Sequence, residues 1–357
     1  MLSSPALGGA ERILRIIAEA STAMGRKVIV VFLCQKNIPK WEDVSDGVEC
    51  IYLGASNEKL GLFRMLPALF KLSRLYSIQR VYSSHVHLNG LLGVCRLMNV
   101  LKCQSLILRE STVIGDRFKG VRRLEFLFFY KLYRRVDLLI CQTDYMRERL
   151  LEFVPRLVKF EPLVIPNPVN VQKAEKQAAK HDFSVPSYGS YVVTVGRLIE
   201  TKGGDVLLKA FALVRKEHGD LKLLFVGDGK ERESWADLAE SLGIRDQVVF
   251  LGQEANPFPF IKGAKLGVVS SRREGFPNVL LEMMTVCSNV VSTRCAGGID
   301  KIPGILHCAP GDVEDLAATM LQALSVSDAG KVKAMRAEVQ RRTPKAFIGR
   351  VEEALEC

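Results

Sequence analysis

A chain of 357 residues is longer than one hydrophobic core usually serves, so two domains are expected, and 48% hydrophobic with 25% charged residues excludes a disordered protein. The formal net charge of +11 and pI of about 9.2 point to an anionic partner: nucleic acid, an anionic membrane face or a phosphorylated substrate. Nine cysteines, an odd number without a C-x-x-C pair, fit the reduced thiols of a cytosol and argue against a disulfide framework.

In chain order, the start MLSSPALGGAER lacks the basic end and apolar core of a signal peptide. A helix is predicted over Glu11–Met24 from the stripe Ile13, Ile16, Ile17 and Ala20. Strands are predicted at Val28–Phe32, Cys50–Leu53, Arg80–Tyr82, Ser105–Leu108 and Leu138–Ile140. The longest apolar runs, such as Phe126–Phe129, fall far short of the roughly 20 residues of a membrane span. No transmembrane helix is expected, and the protein is placed in the cytoplasm.

Ile165-Pro166-Asn167-Pro168 forbids regular structure, since each proline lacks a donor and restricts the residue before it. With the charged stretch Gln172–His181 and Pro186-Ser187-Tyr188-Gly189 it marks an interdomain hinge. The expected domains are 1–170 and 171–357, with a last helix at roughly 340–357 crossing back to the first. Beyond the hinge, strands are predicted at Tyr191–Val195, Lys222–Val226, Val248–Leu251, Leu266–Val269 and Val290–Ser292. Strands alternating with amphipathic helices predict an α/β fold of two Rossmann-like, doubly wound parallel sheets. Their carboxyl ends are expected to face a cleft, where open α/β sheets bind ligands.

After Leu266–Val269 comes Ser271-Arg272-Arg273-Glu274-Gly275-Phe276-Pro277-Asn278-Val279-Leu280-Leu281-Glu282. A helix beginning near Pro277 would leave the amides of Asn278, Val279 and Leu280 free to hold phosphate or sugar oxygens. Glu274 and Glu282 could be a glycosidase pair, but eight helical residues rise about 12 Å, too far to flank one bond comfortably. Two separate acceptors of hydroxyl hydrogen bonds fit better, and two surface acids at one helix is the bland alternative. Arg197 and Lys202 sit in the loop after Tyr191–Val195, where two cations can neutralise a diphosphate. Gly227-Asp228-Gly229 follows the next strand and allows close backbone approach.

In this order and spacing, Gly8-Gly9-Ala10-Glu11-Arg12, Ile165-Pro166-Asn167-Pro168, Gly196-Arg197…Lys202-Gly203, Gly227-Asp228-Gly229, Asn256-Pro257 and Glu274…Glu282 resemble the retaining family-4 glycosyltransferases of the GT-B fold. The resemblance implies transfer of a sugar from a UDP- or GDP-sugar bound mainly by the second domain. It gives Arg197 and Lys202 the diphosphate, Glu274 the donor sugar, Glu282 the ribose, and Gly275, Phe276, Asn278, Val279 and Leu280 the rest of the donor site. Gly8 and Gly9 would close over the donor from the first domain. A front-face reaction with retention is likewise an implication of the family.

No Asp-x-Asp pair follows a strand, so no metal or other cofactor is expected. Where the family often has a histidine, this chain has Leu108-Arg109-Glu110-Ser111-Thr112, making Glu110 the matching catalytic contact; His85 and His87 are further candidates facing the cleft. The two histidines could also form a metal pair, or play a plain loop role. Lys301 stands where relatives often carry an acid. Only MLSSPAL precedes the glycine loop where relatives have a full strand, which suggests a true start upstream of Met1.

Basic and aromatic residues over Arg117–Arg135 predict either an interfacial helix at an anionic membrane or a core helix with a solvated rim. A polyprenyl-diphosphate-linked saccharide acceptor, at the cytoplasmic face of the inner membrane, is the family implication this suits. The expectation is a hexosyl- or N-acetylhexosaminyltransferase of O-antigen, capsule or lipopolysaccharide biosynthesis. A dehydrogenase fits poorly, because Gly227-Asp228-Gly229 lacks the third glycine of its fingerprint. Nucleic acid is not expected, because no binding module or stacking platform accompanies the charge. A catalytically silent scaffold of a polysaccharide-assembly complex is the alternative.

Overall fold

The computed structural model describes residues 1–2, 8–34, 41, 47–118, 120–180, 188–326 and 328–356. Most of the residues before the glycine loop, Lys119, and the hinge residues His181 and Pro186-Ser187 singled out above therefore lie outside the description. The chain forms two compact units, Met1–Pro168 with Pro344–Cys357, and Val169–Thr343.

The first unit begins with α1 (Gly9–Ala23), β1 (Val28–Cys34), β2 (Val48–Ala55) and α2 (Glu58–Leu75). There follow β3 (Arg80–Ser83), α3 (Val86–Leu97), β4 (Ser105–Arg109), α4 (Ile114–Arg117) and α5 (Gly120–Lys131). It continues through β5 (Leu138–Cys141), α6 (Asp144–Phe153) and β6 (Leu163–Val164). β1 and β2 pair in parallel, and β3, β4, β5 and β6 form a second parallel sheet in that order.

Alternation along the strands assigns the helices to layers. Leu106, Leu108, Leu139 and Cys141 join the core beneath Met65 and Leu69 of α2, Leu88 and Leu92 of α3, and Tyr130 of α5. Ile107 and Ile140 point the other way, into a core shared with Ile13, Leu14, Ile17 and Ala18 of α1. The stripe on α1 is thus rotated from the predicted one, with Ile16 and Ala20 only partly buried. The single helix expected over Arg117–Arg135 is broken: α4 ends at Arg117, Gly120 adopts φ +60°, and Arg135 lies beyond α5 at φ 47°.

The second unit contains α7 (Val171–Ala178), β7 (Tyr191–Val195), α8 (Gly204–Val214), β8 (Lys222–Val226), α9 (Arg232–Ser241) and β9 (Val248–Gly252). It continues with α10 (Phe258–Gly263), β10 (Leu266–Val269), α11 (Asn278–Val286) and β11 (Val290–Thr293). β12 (Leu306–Cys308), α12 (Val313–Ser325) and α13 (Ala329–Arg341) complete it, and α14 (Pro344–Glu356) belongs to the first unit. Its six strands are all parallel in the order β12-β11-β10-β7-β8-β9. Both faces are covered: Leu224 and Val226 pack into one core, Leu223 and Phe225 into the other. Burying each such side chain stabilises by about 1.5–3 kcal/mol. That is why β7 and β8 read as mostly apolar runs rather than as alternating ones.

Candidate functional site

The order of strands in the second unit reverses between β10 and β7, and the crevice outside the carboxyl ends at such a point is where open α/β sheets bind ligands. The loop Gly196–Gly203 leaves β7 there, and Ser270–Pro277 leaves β10. The first loop lies flat against the turn after β8: Leu198 N–H donates to Asp228 O at 2.9 Å and Glu231 N–H to Leu198 O at 3.0 Å. Gly227, at φ +144°, passes so close that a Cβ would lie 1.9 Å from the Gly196 carbonyl. No other residue fits.

Arg272 pins the same loop from the β10 side. Its guanidinium donates to both Asp205 carboxylate oxygens, at 2.7 and 2.6 Å, and to the Glu200 carbonyl at 3.0 Å. Its N–H donates to Thr201 O at 2.8 Å. This forked hydrogen bonding holds the Asp205 carboxyl below the usual carboxylate range. Ser270 Oγ donates to Lys202 O at 3.0 Å, and Gly203, at φ +64°, brings its Cα against the Ser270 carbonyl, 2.2 Å from where a Cβ would sit.

Lys202 is thereby aimed at the second loop. Its Nζ donates to Glu274 Oε1 at 2.8 Å, and Ser271 Oγ donates to the same oxygen at 2.6 Å. Glu274 N–H donates to Cys295 O at 2.8 Å, and burial pushes the Cys295 thiol up to about 12. The sequence reading gave Lys202 and Glu274 to different parts of a ligand; in the structure each is the other's ion-pair partner. A pocket of about 350 Å³ opens beside them, lined among others by Gly196, Arg197, Lys202, Ser271 and Val279. The Arg197 side chain is exposed and its guanidinium has, among the described residues, no hydrogen-bond or ion-pair partner. One fixed and one uncommitted cation at a half-enclosed strand edge are the chemistry an anion would need.

The remaining predicted donor residues divide. Val279 lines the pocket, and Asn278 opens α11 with Gly275 just before it. The Leu280 amide donates to Pro277 O at 2.9 Å and its side chain is in the core, so it is not the free donor expected. The helix starts one residue later than Pro277, which becomes its cap, and the first turn tightens around that carbonyl. Phe276 is core, with the Arg342 guanidinium 5.6 Å from its ring centre. Glu282 lies on the buried side of α11, 7% exposed.

In the first unit, Gly8 caps α1 and Gly9 opens it. A Cβ on Gly8 would lie 2.4 Å from the Glu11 carboxylate, whose other oxygen meets His85 Nε2 at 3.1 Å. His85 and His87 are not in a loop: His85 caps α3 and His87 is in its first turn, 6.1 Å between ring centres from Phe129. Among the described residues no cluster of three or more His, Cys, Asp or Glu side chains is placed to hold a metal ion.

Glu110 requires a correction. It is 1% exposed, and its two oxygens accept from Tyr130 and Tyr133 hydroxyls, both at 2.8 Å. Burial raises its carboxyl above the usual range. It is a buried acceptor for two tyrosines. Its neighbour Arg109 is equally buried, bonded to Asn167 and, at 3.4 Å, to Ser84 Oγ, and burial pulls it down to about 10.

Sequence reasoning missed Arg272, Asp205 and the Glu11–His85 contact. Arg272 and Asp205 are 67 residues apart, and no local pattern links them.

Residues 7–173 match the family model Glycosyltransferase Family 4, and residues 189–326 match the model Glycosyl transferases group 1. Two glycosyltransferase family models thus match successive parts of the chain, one before and one after residues 174–188. An uncharacterized glycosyltransferase, MJ1059, of Methanocaldococcus jannaschii is 29% identical over 261 residues, covering 70% of this chain and 64% of the relative. The lipopolysaccharide core biosynthesis glycosyltransferase LpsE of Rhizobium meliloti is 31% identical over 222 residues, 58% of this chain and 63% of its own. The chain therefore spans just under two thirds of the length of these relatives.

Among solved structures, Anabaena Alr3699/HepE in complex with UDP-glucose superposes with a TM-score of 0.79 at 18% identity, covering 99% of this chain and 98% of that one. The fold is GT-B. Within the family-4 pattern, the pocket lies in the part matched by the group 1 model, and Glu110 in the part matched by the family 4 model.

Proposed function

We propose that this chain is a family-4 glycosyltransferase that takes a sugar from a nucleotide-sugar donor bound at the pocket of the second unit. The observation that carries the reading is the pair of cations at the strand-order reversal, Arg197 uncommitted and Lys202 held against Glu274. A nucleoside diphosphate would draw Lys202 partly from Glu274, leaving that carboxylate to accept from sugar hydroxyls, while Arg197 neutralises the developing phosphate charge. With cations supplying this charge, we propose transfer without a metal ion, with Glu282 at the ribose. That the HepE structure holds UDP-glucose supports a uridine nucleotide as the first donor to test.

Transfer is proposed to proceed with retention: the bond from the anomeric carbon to the diphosphate oxygen breaks, the acceptor oxygen bonds to that carbon from the same face, and its proton passes to the departing diphosphate. The acceptor is proposed to be a saccharide on a polyprenyl diphosphate at the cytoplasmic face of the inner membrane, in lipopolysaccharide or related surface-polysaccharide synthesis. LpsE, a core-biosynthesis enzyme, supports that pathway. The cationic helix α5, with Val121 82% exposed and Leu124 and Phe128 beside it, supports the location. No helix among the described residues is long and apolar enough to cross a membrane, so attachment would be at the surface.

Isothermal calorimetry with UDP, GDP and their hexose and N-acetylhexosamine conjugates tests the donor. Binding of at least one with release on Arg197→Ala is expected; no binding of any overturns the reading. Transfer that survives a chelator supports the metal-free route, and transfer abolished by chelator and restored by a divalent cation ends it.

A further inference from the structure

The outer face of α2 carries Leu60, Phe63, Leu66 and Phe70, all exposed, with Phe63 at 74%. They recur at three- and four-residue spacing, so they form one stripe along the helix, opposite the buried Met65 and Leu69. A contiguous exposed apolar stripe on a folded protein is the mark of an interaction surface. It is the reverse of what a solvent-facing helix needs.

The chemistry around the stripe selects the partner. Arg64, Lys71 and Arg74 lie on the exposed part of α2, and no acidic residue follows Glu58 along the helix. The Arg74 guanidinium sits 4.2 Å from the Phe70 ring centre. The Lys27 ammonium sits 4.4 Å from that of Tyr76, just past the helix end. A cation above an aromatic body suits the level of lipid phosphates, with the ring below and the charge in the headgroups. A like-charged second copy of this face would be repelled.

The layer assignment supplies the geometry. α2 and α5 pack on the same core of the first unit, on the side of the sheet away from α1. Both helices therefore cover the same core of the first unit.

We propose that the α2 stripe is a lipid-docking element that enters the headgroup region of an anionic bilayer alongside α5. It rests on the membrane reading above, and adds to it a second, separate contact. Two contacts fix the orientation of the first unit on the surface, where one helix would leave it free to roll.

The test is co-sedimentation of the full chain with phosphatidylcholine vesicles, with and without phosphatidylglycerol. Wild type is compared with Phe63→Ser/Phe70→Ser on α2, Lys71→Glu/Arg74→Glu on α2, and Leu124→Ser/Phe128→Ser on α5. Thermal unfolding of each checks the fold, which these exposed positions should leave unchanged. Binding that depends on phosphatidylglycerol, with at least a tenfold loss in both α2 variants, is the expected result. Loss in the α5 variant alone overturns the α2 proposal and leaves the membrane reading standing. Failure of wild type to bind either vesicle overturns both. A concentration-dependent dimer abolished by the α2 substitutions, without vesicle binding, would make the occupant a second copy and also overturns it.

Discussion

The carboxyl edges of the two units present charged side chains at the same place in a parallel sheet, with opposite outcomes. At the end of β4, Arg109 and Glu110 turn into the core, and both carboxylate oxygens of Glu110 are taken by Tyr130 and Tyr133. After β7, Arg197 and Lys202 stay at a pocket wall; Lys202 is held by Glu274 from the loop after β10, and the Arg197 guanidinium is left uncommitted. Position at a strand end does not decide whether a charge is chemical or structural. What decides is whether the next elements fold back over it: α5 and the turn after it bring Tyr130 and Tyr133 down on Glu110, whereas α11 starts one residue after Pro277 and leaves the Arg197–Lys202 edge open.

The contrast can be broken by substitution. The largest effect is expected at Glu110→Ala, which leaves two buried tyrosine hydroxyls without an acceptor and costs about 3 kcal/mol or more. Urea unfolding should show it, with nucleotide affinity unchanged in the folded protein; a loss of affinity without a loss of stability would restore Glu110 to the site. Arg197→Ala should do the reverse. Charge-assisted hydrogen bonds contribute about 1.5–3 kcal/mol, so about a hundredfold weaker nucleotide binding is expected with unaltered unfolding.

Arg272→Ala should fall between the two, because it frees the loop carrying Lys202 without touching a ligand. About tenfold weaker nucleotide binding is expected, partly recovered by Arg272→Lys, which keeps the charge and loses the fork. Equal behaviour of the lysine and alanine variants would show the fork to be irrelevant. Asp205→Asn is the smallest, about 1 kcal/mol for a partly exposed pair. Arg272 lowers the Asp205 value in the folded state, so the wild-type advantage is present above the ordinary aspartate value of about 4 and is lost as pH falls through the lowered one. Thermal melts of both proteins against pH should converge in acid.

The strands of the second unit were legible because both faces are buried. Tyr191–Val195 and Lys222–Val226 are mostly apolar, with only Thr194 and Lys222 polar, and their predicted limits match β7 and β8. β12 escaped because it is a three-residue edge strand with a histidine in the middle, which carries neither signal. In the candidate site, the loops and their glycines were visible, since Gly227 and Gly203 mark backbone positions other residues cannot take. The partnerships were not. Lys202 and Glu274 are 72 residues apart, and the solvation of Glu110 depends on tyrosines 20 and 23 residues downstream. Sequence spacing reports what a helix or loop can present, and long-range packing reports what it presents to.

The chain leaves the first unit at Pro168 and returns to it at Pro344. On the returning segment, Phe347, Ile348 and Val351 of α14 fill the core against Ile13 and Ile17 of α1. The second unit is an uninterrupted stretch, so during synthesis it can close first, although its residues are made later than those of β1 to β6. The earlier-made half must wait with the core around α1 incomplete, and that waiting surface is where a chaperone, or a misfolding neighbour, has its opportunity.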